Sequence, residues 1–187
     1  MPPPAFGYAW VGRGSTANEV RFMIMAHQSF VEMRQIHQEI EDIFFRHQEA
    51  LLKGDYPVAK ELLKGYEEFL LHHMKEEEEI LLPLYRQRAG QMRGGDAEVF
   101  VLEHKKIVEW LGRLKLRLSR LWPVPVDQKD VIALLDDEAQ FKKFMEHHSL
   151  REDRIFYPEL DRIVTEAEKA HLLRLLTFSL EDYNPQS

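Results

Sequence analysis

Two short motifs place a histidine four residues before a glutamate, His73 with Glu77 and His148 with Glu152. Side chains at positions i and i+4 of a helix lie on one face a turn apart, close enough to share a metal ion. Imidazole nitrogens and carboxylate oxygens are ligands for iron, manganese, zinc and copper. If these segments are helical, each motif is a candidate half of a metal site.

The two motifs belong to an internal repeat with an offset of 75 residues. Residues 69–83 and 144–158 share a phenylalanine, a His-His pair, a glutamate, an isoleucine and a final proline in register. If the first histidine of each pair pointed inward, Arg151 rather than a carboxylate would follow four residues after His147. The repeat therefore predicts two helical hairpins in which the second histidine of each pair is the buried one.

Apolar residues recur every three or four positions along four segments, a pattern typical of helices with one buried face. The buried stripe of the second segment contains both members of the first motif: Leu62, Tyr66, Phe69, His73, Glu77, Ile80 and Leu84. Buried carboxylates are costly unless they are paired or bind a metal, and no Lys or Arg interrupts the stripes that carry the two motifs. Inward histidines and glutamates at one level of a bundle therefore predict a bound metal.

The predicted turns select the remaining ligands, because residues equidistant from the turn of a helical hairpin face each other. The midpoint of His37 and His73 is residue 55, and the midpoint of His104 and His148 is residue 126; both lie in predicted turns. The predicted metal ligands are His37, His73, Glu77, His104, His148 and Glu152.

The other histidines are assigned different roles. His72 and His147 fall on solvated helix faces, together with most of the run Glu76–Glu79. His27, His47 and His171 are interpreted as structural. Both His27 and His47 lie ten residues from His37, or about 15 Å along a helix axis, too far to serve the same site.

Turn and capping signals divide the 187-residue chain. We predict an extended arm over residues 1–15, a four-helix bundle over 16–162, and an amphipathic helix with a tail over 163–187. Capping boxes at Thr16-x-x-Glu19 and Thr165-x-x-Glu168 open the first helix and the C-terminal helix, the latter ending near Leu180. The predicted fold is all-α, an antiparallel up-down four-helix bundle built from two helical hairpins.

Composition restricts the function classes. The absence of cysteine excludes disulfides, thiolate catalysis and iron–sulfur sites. The net charge of −7 disfavours nucleic acid and anionic membranes as partners. Neither a secretory signal nor a membrane-spanning run is visible, so we expect a cytoplasmic protein. A homodimer is compatible with the sequence.

The ordered set of histidines and glutamates resembles the hemerythrin-like family, the HHE cation-binding domain, over about residues 34–162. Pro83 and Pro158, which follow the two motifs, also fit. The resemblance implies a non-haem site for two iron ions, bridged by Glu77 and Glu152 and by an oxo or hydroxo group. It also implies open coordination positions for dioxygen, nitric oxide or peroxide.

Two positions depart from the oxygen-carrying members of that family. Val108 stands where they have a fifth histidine, which argues against reversible oxygen carriage. They use an aspartate five residues after the last histidine; Asp153 occupies that position here, although Glu152 faces the predicted core better. The expected ligand is a small diatomic molecule or a peroxide. An iron-occupancy sensor and a helical interaction module without turnover remain as alternatives.

Overall fold

The computed structural model describes residues 29–90, 94–121 and 125–176. These residues are helical apart from short connections, and they contain no strand, which confirms the all-α class. The elements are a 3₁₀ turn (Phe30–Met33), α1 (Arg34–Leu52), α2 (Tyr56–Glu76), a first π turn (Glu77–Leu81), α3 (Leu82–Arg88), α4 (Ala97–Leu121), α5 (Gln128–Arg151), a second π turn (Glu152–Phe156), α6 (Tyr157–Ile163) and α7 (Glu166–Leu175).

The predicted turn residues begin the helices. The Asp55 side chain accepts a hydrogen bond from the backbone N–H of Val58 and caps α2. Asp127 caps α5 in the same way. The capping box of Thr165 and Glu168 begins α7 as predicted. Gly54, with a φ of +75°, supplies the left-handed turn between α1 and α2 that a residue with a side chain rarely adopts.

The ends of two helices differ from the prediction. Ser29 is extended and caps the 3₁₀ turn, so an unbroken helix from Thr16 into α1 is wrong at Ser29. The Thr16-x-x-Glu19 capping box and the arm over residues 1–15 lie outside the described residues. The C-terminal helix ends at Leu175, because the backbone of Leu176 is extended. The predicted division into three regions stays a prediction.

The long helices pack in a closed order, α1 on α2, α2 on α4, α4 on α5, and α5 on α1. Their shared core holds aromatic side chains at its centre, with Phe44, Tyr66 and Phe141 in mutual ring contact. None of the helices in the described part of the chain is both long and apolar enough to span a membrane.

One predicted structural histidine has a clear role. His47 is fully buried and lies 2.6 Å from the carbonyl oxygen of Ala59 and 2.8 Å from a carboxylate oxygen of Glu138. Gln48 donates to the other oxygen of Glu138. This network holds α1 to α2 and α5. It lies ten residues along α1 from His37, away from the other predicted ligands. His171, by contrast, is exposed, and His27 lies outside the described residues.

Candidate metal centre

All six predicted ligands meet at one level of the helices. His37 lies in α1, His73 near the end of α2, His104 in α4 and His148 near the end of α5, while Glu77 and Glu152 open the two π turns. Five of the six are buried, and His37 is the exception, with 12% of its side chain exposed. His72 and His147 are exposed, as predicted.

The first group of ligand atoms belongs to His37, His73, Glu77 and Glu152, whose atoms all lie within 4.8 Å of one another. The Nε2 atoms of His37 and His73 are 2.9 Å apart. Oε2 of Glu152 lies 3.2 Å from Nε2 of His37, and Oε1 of Glu77 lies 3.7 Å from Nε2 of His73. One ion could be held by this group.

A second group consists of His104, His148 and, again, Glu152. Oε1 of Glu152 lies 3.0 Å from Nε2 of His148 and 3.6 Å from Nε2 of His104. Oε2 of Glu77 lies 3.4 Å from Nε2 of His104. Each glutamate therefore turns one oxygen toward each pair of histidines, which is the arrangement that bridging carboxylates need.

The π turns begin at the two glutamates. Leu82 N–H bonds to the carbonyl of Glu77, and Tyr157 N–H bonds to that of Glu152, so each turn closes over five residues instead of four. The repeat of the sequence is thus a repeat of the backbone. Such π turns are often found at functional sites. Here each one inserts a residue immediately after a candidate ligand.

The inserted residue changes which side chains are buried beyond the first π turn. The predicted stripe continued through Ile80 and Leu84, but both are only half-buried, and Leu81 and Tyr85 are buried instead. A helical stripe advances by 3.6 residues per turn, and a π turn delays it by about one residue. The prediction was wrong for these two positions because it assumed an uninterrupted α-helix.

The second π turn brings Tyr157 into the site. Its ring is completely buried, and its hydroxyl donates a 2.6 Å hydrogen bond to Oε1 of Glu77. The same hydroxyl lies 3.3 Å from Nε2 of His37. Tyr157 was not among the predicted site residues. Its only signal was the consecutive apolar run Ile155-Phe156-Tyr157, in which the 3.6-residue period selects Ile155, whereas the π turn selects the next two.

Carboxylates outside the ligand set orient two of the imidazoles. Nδ1 of His104 donates to Glu78 at 2.8 Å, and Nδ1 of His148 donates to Glu103 at 3.1 Å. Arg151 in turn pairs with Glu103 at 3.1 Å. A histidine whose Nδ1–H is held in this way presents Nε2 as the free lone pair, which is the tautomer that a metal requires.

These orienting residues were also missed. The run of glutamates from 76 to 79 was expected to be mostly solvated, yet Glu76 is buried and Glu78 bonds to His104. Asp153, the alternative to Glu152, is 29% exposed and lies 3.7 Å from Nδ1 of His37, on the outer edge of the ring. Glu152 faces both pairs of histidines, and Asp153 faces neither Nε2 group.

Whether the site fits a metal can be judged from its buried polar atoms that have no hydrogen-bond partner. Both oxygens of Glu152, Oε2 of Glu77 and Nε2 of His104 have no hydrogen-bond partner among the described residues. The glutamate oxygens lie close to the histidine nitrogens, but these contacts do not have the geometry of hydrogen bonds. Buried polar atoms are normally satisfied, and these four belong to the candidate ligands. The donor set therefore fits bound cations.

The electrostatics of the metal-free site are dominated by its carboxylates. Burial by itself lowers the pKa of His37, but the nearby carboxylates of Asp153 and Glu152 raise it to about 10. Burial also lowers the pKa values of His104 and His148. Contacts with Glu152 outweigh this effect and raise the pKa of His104 to about 10 and that of His148 to about 9. Without metal, these three imidazoles are protonated at neutral pH and pair with the glutamates.

The remaining pKa shifts follow from the same charges. Burial alone would raise the pKa of Glu152, but the charge of His148 and the close contacts of its oxygens with the rings of His104 and His37 hold it well below its usual value. Burial lowers the pKa of His73, which is therefore neutral at pH 7. A metal ion that binds at this site must therefore displace the protons of His37, His104 and His148.

Comparison with known proteins agrees with this geometry. Residues 28–160, more than half of the chain, match the family model described as the hemerythrin HHE cation binding domain. No curated protein and no solved structure matched significantly. The matched range contains all six predicted ligands, both π turns and Tyr157. The chain therefore belongs to the hemerythrin HHE cation-binding domain family.

Proposed function

We propose that this protein is a non-haem di-iron protein that binds or reacts with a small neutral molecule such as dioxygen, nitric oxide or peroxide. One observation carries the proposal: two pairs of histidines, all buried except His37, share two glutamates, and three of the four carboxylate oxygens have no hydrogen-bond partner among the described residues. Six ligands with two bridging carboxylates exceed what one four-coordinate ion needs. Mixed imidazole and carboxylate ligation, with positions left open, suits iron.

The proposed scaffold is an antiparallel up-down bundle of α1, α2, α4 and α5. The closed packing order of these helices and the tight turn at Gly54 support this arrangement. Each helix would then contribute one histidine at the same level. Metal sites in bundle cores are commonly built from inward side chains of facing helices.

Iron supplies a Lewis acid and a redox centre when it is bound. The chain's own residues hold the geometry: Glu77 and Glu152 span the two histidine pairs, while Glu78 and Glu103 fix the rings of His104 and His148. The Tyr157 hydroxyl holds one oxygen of Glu77. The buried surroundings exclude bulk water, which favours small neutral ligands over charged substrates.

The decisive test is metal analysis of the protein purified from iron-replete cells, followed by rapid mixing of the reduced protein with oxygen or nitric oxide. We expect about two irons per chain, because two ligand groups are present. We also expect a fast absorbance change without a persistent, reversible response to oxygen. Iron-free protein would refute the proposal. If the absorption spectrum of the iron-loaded protein does not change with oxygen, peroxide or nitric oxide, the iron-occupancy sensor is favoured instead.

Metal binding should release protons. The pKa values of His37, His104 and His148 are about 10, 10 and 9 in the metal-free protein, and a ligating imidazole must be neutral, so loading at pH 7 should release about three protons per chain. Release should vanish as the pH rises above 10, where the rings are already neutral. Calorimetric titration with iron or zinc in buffers of different ionisation enthalpy measures the number. A heat independent of the buffer at pH 7 would contradict the raised pKa values.

Tyr157→Phe should weaken metal binding by about ten-fold, because residues that orient a ligand typically contribute ten- to a hundred-fold to affinity. The variant removes the hydroxyl that donates to Glu77 and leaves the ring in place. Competition with a chelator of known affinity measures the effect. Tyr85→Phe is the matched control, because the Tyr85 hydroxyl donates to the carbonyl of Gly95 instead of a ligand. Equal affinity in the two variants would remove Tyr157 from the site.

A further inference from the structure

A cavity of about 230 Å³ lies between α1 and α5, beside the candidate metal centre. Its apolar wall includes Ile40 and Phe44 of α1, Leu70 of α2, and Met145 of α5. One end reaches His37, the single ligand with an exposed edge. The cavity is partly open to solvent, so a small molecule can enter it.

The cavity contains a polar group that the fold does not use. Tyr66 lines it and is only 3% exposed, yet its hydroxyl has no hydrogen-bond partner among the described residues. Burial raises the pKa of this hydroxyl, which therefore keeps its proton and can donate. A polar group at the wall of a cavity can be satisfied by water or by a ligand.

The residue that corresponds to Tyr66 in the other half of the chain, three residues before the internal repeat begins, has no hydroxyl. With the offset of 75 residues, the counterpart of Tyr66 is Phe141. Its ring is completely buried, and its centroid lies 6.1 Å from that of the Tyr66 ring. The corresponding position of the other half thus accepts a phenylalanine. Tyr66 lines the cavity, and no described residue accepts a hydrogen bond from its hydroxyl, which points to a ligand.

The charges around the cavity argue against an ionic ligand. Two cations, Arg34 and Lys142, and three carboxylates, Glu41, Glu146 and Asp153, line it. The excess of carboxylates disfavours an anion, and the apolar wall disfavours a charged group in general. A neutral molecule with one hydrogen-bonding group matches this lining.

We propose that this cavity binds a small neutral aromatic alcohol of the phenol class, with its ring between Phe44 and Met145 and its hydroxyl paired with Tyr66. The size fits, because an apolar cavity of roughly 150 Å³ already accommodates benzene. Methionine sulfur makes favourable contacts with aromatic rings. Binding itself is independent of the proposed iron function; only the ligand's position against His37 links the cavity to the metal centre.

The test uses the full-length protein as purified and three probes, phenol, toluene and benzoate, in NMR titrations. Phenol should bind saturably and more tightly than either of the others. Tyr66→Phe should reduce phenol affinity about five-fold, as expected for one lost hydrogen bond, and leave toluene affinity unchanged. Met145→Trp fills the cavity and should abolish the binding of both phenol and toluene. Tyr85→Phe, which removes a hydroxyl bonded to Gly95, is the matched control and should bind phenol normally.

Stability gives a second readout. Tyr66→Phe should leave the melting temperature unchanged or raised, whereas Tyr85→Phe should lower it, because only the second variant loses a hydrogen bond within the protein. Phenol binding that is absent, that is unaffected by Tyr66→Phe, or that is weaker than benzoate binding would overturn the proposal. Saturable phenol binding to protein that carries no iron would support the cavity site while refuting the proposed function.

Discussion

Replacing Glu152 with alanine should remove nearly all bound metal, whereas replacing His148 should remove only about half. The physical reason is that Glu152 belongs to both ligand groups, and its two oxygens face different histidine pairs. His148 belongs to one group. Losing Glu152 also leaves Glu77 as the single carboxylate shared by the two histidine pairs. Metal content per chain, measured by elemental analysis of the purified variants, gives the result directly.

Asp153→Asn is the matched control for Glu152. It changes the neighbouring carboxylate, which is partly exposed and lies beside Nδ1 of His37 rather than among the Nε2 atoms. This variant should keep both ions. Loss of metal from Asp153→Asn together with retention by Glu152→Ala would exchange the roles of the two residues. His72→Ala and His147→Ala, on exposed neighbouring positions, should also keep their metal.

Removing the metal should lower the melting temperature at pH 8 by roughly 8–16 °C per ion. A ligand at a thousand times its dissociation constant stabilises the folded state by about 4 kcal/mol. For a chain of this size, 1 kcal/mol corresponds to roughly 2–4 °C. The buried atoms of Glu77 and Glu152 that lack partners without metal give the structural reason. Calorimetric melting before and after chelation measures the difference; an unchanged melting temperature would argue against ligation.

The size of this effect should depend on pH. In the metal-free protein the raised pKa values of His37, His104 and His148 contribute stability that is complete below the unfolded value of about 6.5 and is lost as the pH rises through 9–10. The lowered pKa of Glu152 contributes stability above its unfolded value, which is lost on acidification. Metal binding weakens as the pH falls, because protons compete for the ligands. Metal should therefore stabilise little near pH 5 and strongly near pH 9.

The two halves of the site have equivalent ligands but different surroundings. In the repeat, Tyr157 corresponds to Leu82, and Asp153 corresponds to Glu78. Consequently the hydroxyl that holds Glu77 has no counterpart in the other half. The ring of His104 is closed off by Glu78, whereas His37 borders the cavity. The two ion positions should therefore differ in access and affinity.

Much of this protein follows from local patterns in the chain. The all-α class, the turn at Asp55, the capping box at Thr165 and the family itself are confirmed predictions. The histidine at position i and the glutamate at i+4 share a helix face whatever the tertiary structure. The position of each turn then decides which histidines face each other. The structure brings the six predicted ligands together for these two reasons.

The tertiary structure alone decided what lies around those ligands. A 3.6-residue period cannot reveal a π turn, so the burial of Leu81, Tyr85 and Tyr157 could not be predicted from apolar spacing. The partners of His104 and His148 come from other helices, and their pairing depends on the distance and rotation between helices. The cavity beside Tyr66 has the same origin, because it forms where α1 and α5 pack incompletely over α2. Sequence periodicity specifies which face of a helix is buried, whereas the contacts between faces depend on how the helices pack.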